Sequence, residues 1–227
     1  EYPGSLEMFE KRFKDLHDLN ENHVVPQIKI GIINKQFFKV YEYKEHSLLE
    51  VINNKCLTAK EAVNIFESIL SAIQVFHKNK IFHGNLKPTN IFIDKDNKIS
   101  FIDFYFESEI KQTEYIGETK SKLLTTESDI YALGIIFYEM LNWGKITDKN
   151  IILKSHIPGN LFTVIEKMLS NEKNKYFQSP EEILQFLRKA YSENIETITK
   201  KNIPIKKSDE IETKYEKKAK YKSFIMY

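Results

Sequence analysis

An internal disulfide is excluded at once, because the 227-residue chain holds a single cysteine, Cys56. A lone thiol fits a reducing, cytosolic setting, and its default role is that of a small buried hydrophobe. Glycine is scarce, at seven residues, and only Gly4 precedes the first predicted helix. A net charge of +2 is too small to point to nucleic acid. No apolar run approaches the ~18 residues needed to cross a bilayer, and nothing reads as a signal peptide. The chain opens on Glu1 rather than Met, which leaves room for sequence upstream.

What is present suits one large domain, or one domain with an appendage. Leu6, Phe9, Phe13, Leu16 and Leu19 recur at helical spacing behind Ser5 as N-cap. The alternating Ile28, Ile30 and Ile32, then the aromatic run Phe38 to Tyr43, predict a β-hairpin around the polar "NKQ". Thr58 and Glu61 form a capping box ahead of a helix reaching about His77. "IFIDKDNKISFID" reads as two short strands about a turn. "SDIYALGIIFYEMLN" is apolar nearly all round, as a buried central helix would be. Two amphipathic helices follow, the second starting at Ser179-Pro180 and ending near Tyr191. From 192 onward lysines dominate and large apolar side chains thin out.

One stretch carries chemistry. "HGNLKPTN", His83 to Asn90, is followed thirteen residues after Asn90 by Asp103 in "IDFY". Asn90 and Asp103 are hard oxygen donors of the kind that suits Mg²⁺. Lys87 is a cation fit for phosphate. Asn85 is an amide, which takes up no proton near neutral pH.

These residues, in this order, resemble the protein kinase fold, with the match covering roughly 5–191. "HGNLKPTN" is similar to the catalytic loop H-R-D-L-K-P-x-N, "IDFY" to D-F-G, and "SDIYALGIIFYEML" to the helix after the activation segment. "YIGE", Tyr115 to Glu118, is a weak echo of Y-x-A-P-E. The resemblance implies an α+β, kinase-like fold: a mainly α-helical large lobe at 46–191, a reduced small lobe at 1–45 (one helix plus the hairpin), and a Lys-rich tail at 192–227.

The resemblance also implies roles. Asn85 stands at the position of the catalytic base, and Lys87 at that of a lysine contacting the transferred phosphate. Asn90 and Asp103 stand at the metal-ligand positions. His83 and Asp129 are expected to brace the loop, and Glu118 and Lys175 to tie the activation segment to the large lobe. Gly84 replaces an arginine that pairs with phosphate. Tyr105 replaces a glycine that lets the backbone lie close to nucleotide. Arg12 aligns with a helix glutamate, with Glu10 two residues away. The Gly-rich cradle and its strand lysine are not found.

The expectation is therefore a pseudokinase, a binding or scaffold module with no cofactor. ATP and Mg²⁺ enter only if the site still functions. The alternatives are a Ser/Thr-type kinase whose cradle lies upstream or in trans, and the cytoplasmic domain of a membrane-linked sensor or assembly protein. The expected partner is a protein, or a second copy, at the open hairpin edge. No nucleic acid is expected. The tail gives possible membrane proximity, its lysines facing anionic headgroups.

Overall fold

The computed structural model describes residues 13–18, 22–34, 36–105, 125–142, 157–170 and 177–200. Helical turns at 13–18 (α1) lead to a hairpin of β1 (Gln27–Ile33) and β2 (Gln36–Tyr41). Then come α2 (Leu48–Asn54), α3 (Ala59–Lys78), β3 (Ile91–Ile93) and β4 (Ile99–Phe101). Three helices follow: α4 (Thr126–Asn142), α5 (Gly159–Met168) and α6 (Pro180–Lys200). Compactness divides the chain into Glu1–Tyr191 and Ser192–Tyr227.

Capping fixes where α3 begins. The Glu61 backbone N–H donates to the Thr58 hydroxyl at 3.2 Å, and the Glu61 carboxylate accepts from the Thr58 N–H at 2.9 Å. That satisfies two of the orphan donors of the first turn. Ala62, Ile65, Phe66, Ile69, Ile73 and Phe76 then bury one continuous stripe. Phe66 stacks on Phe137 of α4 at 4.2 Å between ring centroids, so the two helices share the core. As its all-round apolar sequence predicts, α4 is buried from Ser128 to Leu141, apart from half-buried Tyr131. Gly134 permits the closest approach there: a Cβ at that position would lie 2.9 Å from the Met168 Cβ of α5.

Two small antiparallel ladders complete the framework. β3 pairs with β4, Ile91 opposite Phe101. The turn between them is an Asx turn, with the Asp94 carboxylate accepting from the N–H groups of Asp96 and Lys98, both at 2.9 Å. Residues 23–25 run beside β4: the Val25 N–H donates to the Phe101 carbonyl at 3.0 Å, and the Phe101 N–H to the His23 carbonyl at 2.9 Å. This is one of the ties that carry the hairpin. In the hairpin, Ile30 faces Lys39 and Gly31 faces Phe38. The Phe38 ring lies where a Gly31 side chain would stand, 2.8 Å from its ideal Cβ. Ile28, Ile32, Ile33 and Val40 remain exposed.

Several local expectations need correction. Helix α2 was not anticipated, because seven residues are too few to show a clear period. Its signal was a second S-x-x-E capping box, Ser47 with Glu50. Gln36 opens β2 rather than belonging to the turn. Cys56 is exposed rather than buried, since the neighbouring Leu57 takes the place in the core. Helix α6 does start at Pro180, with the Ser179 hydroxyl accepting from the Glu182 N–H at 3.2 Å. It runs on to Lys200, past the boundary expected near Tyr191. Leu6, Phe9, Leu19, Arg12, Glu10, Phe106, the "YIGE" stretch, Lys175 and the tail from 201 lie outside the described residues.

Candidate functional site

The loop from His83 to Asn90 is held from beneath by one carboxylate. Asp129, in the first turn of α4 and 1% exposed, accepts from the His83 N–H and the Gly84 N–H, each at 2.8 Å. His77 Nε2 of α3 lies 2.8 Å from the same group. Gly84 sits at φ 69°, where a side chain would be strained. Glycine thus suits the turn, at the loss of the arginine side chain. Asn90 donates its side-chain N–H to the Asn85 carbonyl at 2.9 Å, and its backbone N–H bonds to the Lys87 carbonyl. The short 3₁₀ turn Pro88–Asn90 leads directly into β3.

His83 is wholly buried, stacked on Phe104 at 4.2 Å and edge-on to Phe101. Its carbonyl accepts the Tyr105 N–H at 2.8 Å, so it links the loop to the "DFY" segment. The Asn85 backbone N–H donates to His83 Nδ1 at 3.2 Å. Burial holds the imidazole pKa down to about 4, against partial opposition from the Asp129 and Asp103 charges.

Asp103 is the centre of the site. It adopts φ 61°, a left-handed conformation that costs a non-glycine residue about 1–2 kcal/mol. Two side chains hold it. Lys39 Nζ of β2 donates to Oδ1 at 2.6 Å. Asn85 Nδ2 donates to Oδ2 at 2.8 Å and to the Asp103 carbonyl at 3.1 Å. Tyr41, two residues along β2, is also placed here. Burial and then the Asp103 charge raise its phenol pKa, partly offset by a hydrogen bond from the Asp103 backbone.

The enclosed space between α1, the hairpin and Asp103 is about 10 Å³, lined by Phe13, Leu16, Lys39 and Tyr41 among others. That is far below the size of a nucleotide site. The larger groove among the described residues, about 890 Å³, lies beside α2, α3 and the β3–β4 turn. None of the predicted site residues lines it.

The structure thus brings Asn85, Asn90, Asp103, His83 and Asp129 into one connected cluster. Lys87 is half-buried beside it, but the ion pair at Asp103 comes from Lys39. Glu118 and Lys175 lie outside the described residues. Sequence reasoning missed Lys39 and Tyr41. The available signal was period two: Lys39 falls opposite buried Ile30, on the inward side of β2.

The depressed pKa of His83 sets a pH dependence. Between about 4 and 6.5 the unfolded chain binds a proton that the folded chain does not. Stability is therefore full above 6.5 and falls as pH drops through this window, by about 3 kcal/mol in all at 1.36 kcal/mol per unit. Unfolding midpoints measured from pH 7.5 to 4.5 check this. One imidazole C2–H signal in proton NMR should stay at its neutral position to about pH 5. If every histidine titrates near 6.5, the assignment is wrong.

The protein-kinase-domain family model matches residues 10–204. Among curated proteins, the serine/threonine-protein kinase PrkC of Bacillus subtilis is 32% identical over 152 residues, 60% of this chain and 24% of that protein. A probable serine/threonine-protein kinase of Enterocytozoon bieneusi is 32% identical over 171 residues, 67% of this chain and 28% of that protein. The probable serine/threonine-protein kinase PknB of Lactococcus lactis is 27% identical over 153 residues, 60% of this chain and 24% of that protein. The chain spans about a quarter of the length of these relatives. With the loop, the "DFY" segment and α4 assembled as above, the chain belongs to the protein kinase domain family.

Proposed function

We propose that this chain acts as a pseudokinase, a protein-binding module that does not transfer phosphate. The observation that carries the reading is the use made of Asn85. At the position where the family places a base, the side chain is an amide, and its N–H groups point at Asp103, at 2.8 and 3.1 Å. An amide whose nitrogen donates to the neighbouring carboxylate takes up no proton from an attacking hydroxyl near neutral pH.

The family is associated with ATP and Mg²⁺, and the Lys39 ammonium at Asp103 Oδ1 opposes a cation there. Both Asp103 oxygens are engaged by nitrogen donors. The Asn90 amide nitrogen donates to the Asn85 carbonyl, and its Oδ1, the atom that would ligate a metal, takes only a long contact from the Thr89 hydroxyl at 3.4 Å, so Asn90 itself does not oppose a cation. A cation at Asp103 would share an oxygen with one of these donors, and at Oδ1 it would meet the Lys39 ammonium. No step is therefore routed through a nucleotide or metal.

The competing reading is a Ser/Thr-type kinase, favoured by the retained Lys87, Asn90 and Asp103. Incubation of the purified chain with radiolabelled ATP, Mg²⁺ and a general protein substrate separates the two. The pseudokinase reading expects no transfer above the Asp103→Ala background. Magnesium-dependent transfer abolished by Asp103→Ala would overturn it.

The binding role falls to the hairpin. Ile28, Ile32 and Ile33 are each more than 60% exposed, and Val40 is 40% exposed. Surface of that kind, on a two-stranded sheet, favours pairing with a protein. No helix among the described residues is long and apolar enough to cross a membrane, and membrane proximity through the tail stays a proposal on residues 201–227. Sedimentation of the chain alone tests the hairpin. Self-association weakened about tenfold by Ile32→Lys with Ile33→Lys is expected for a second copy at this surface, as for other buried apolar anchors. A monomer at all concentrations would assign the surface to a different protein. Association unchanged by the double substitution would rule the hairpin out.

A further inference from the structure

We propose that Lys39 is a built-in substitute for a divalent cation at Asp103. The inference deepens the pseudokinase reading and rests on it, but its test uses neither nucleotide nor phosphoryl transfer.

Three observations carry it. First, the Lys39 ammonium touches Asp103 Oδ1 at 2.6 Å, the closest contact that carboxylate makes. Second, the lysine side chain is only 16% exposed, so its charge needs an opposite charge beside it. Asp103 supplies that charge from 64 residues away. Third, the other oxygen is taken by a neutral amide, Asn85. Among the described contacts, Asp103 thus sets its carboxylate against one ammonium and one neutral amide. A divalent ion arriving at Oδ1 meets an ammonium at the same oxygen and is opposed by Coulomb repulsion.

The consequence concerns assembly. Lys39 belongs to β2 and Asp103 to the segment after β4, so their pair links the hairpin to the large-lobe core. A metal ion held by Asp103 and Asn90 makes no such link, because both residues flank the β3–β4 ladder. The exchange of metal for lysine converts a carboxylate that binds an exchangeable ion into one that pins two parts of the same chain. The strained backbone at Asp103, φ 61°, fits this account, since two side-chain partners over-determine its position. A third of the Asp103 side chain, 34%, remains open to solvent. An ion therefore has access once the ammonium is gone.

The probe is Mn²⁺ alone, followed by electron paramagnetic resonance and by melting temperature on the full chain. For the natural sequence we expect no Mn²⁺ bound at 1 mM, on the order of the weakest biological sites, and no change in melting temperature. Lys39→Met should melt about 5 °C lower without metal, bind Mn²⁺, and recover part of the loss. Lys39→Gln keeps a polar head and should behave alike, which covers failure of the methionine variant to fold. Lys39→Gln with Asp103→Asn should lose the Mn²⁺ response. Mn²⁺ binding by the natural chain that Asp103→Asn removes would overturn the proposal. So would folded Lys39 variants that bind no Mn²⁺.

Discussion

Everything in the site hangs on one buried carboxylate. Asp129 is 1% exposed and accepts from two successive backbone N–H groups, with a histidine as third neighbour. An ion in that position is costly unless fully hydrogen-bonded, and here it is. The His83-Gly84 turn has to close over it, which forces the left-handed backbone at Gly84. From that turn the loop presents Asn85 and Asn90 at fixed positions. α4 supplies Asp129 because it is buried at the centre of the core, so the loop inherits the rigidity of the whole helical layer.

The same framework keeps its shape through contacts within the chain. The stacking of His83 on Phe104, the Tyr105 N–H to His83 bond and the Asn90 to Asn85 bond are all internal. None needs a ligand. Asn85 is isosteric with an aspartate but carries donors, so it bonds the Asp103 carboxylate instead of repelling it. Lys39 then neutralises that carboxylate from the hairpin side. In the proposed reading, a cluster that could gather phosphate and metal serves as a joint between the hairpin and the core.

Much of this was legible in the sequence, and the rest was not for physical reasons. The loop, Asp103 and α4 were legible because their roles require fixed residue types at fixed spacing. α3 was legible because a capping box and a long apolar stripe agree. The hairpin was legible from alternating isoleucines and an aromatic run. Lys39 was hidden because its partner lies 64 residues away, and backbone ties on both sides of the hairpin, residues 23–25 to β4 and His46 to Ile93, bring them together. Cys56 was misplaced by a single residue, since nothing local decides whether Cys56 or Leu57 turns inward. The far end of α6 was hidden because "SENIETITK", 192–200, is mostly polar, with only two isoleucines to mark an apolar face.

The central claim is that Asp103 is engaged by the protein rather than by a metal-nucleotide. A thermal-shift titration of the chain with ATP and Mg²⁺ tests it most directly, because any ligand that binds the folded state raises the melting temperature by mass action. The account predicts an unchanged melting temperature up to millimolar ATP with Mg²⁺. A rise that grows with nucleotide, requires Mg²⁺ and disappears in Asp103→Asn would contradict it.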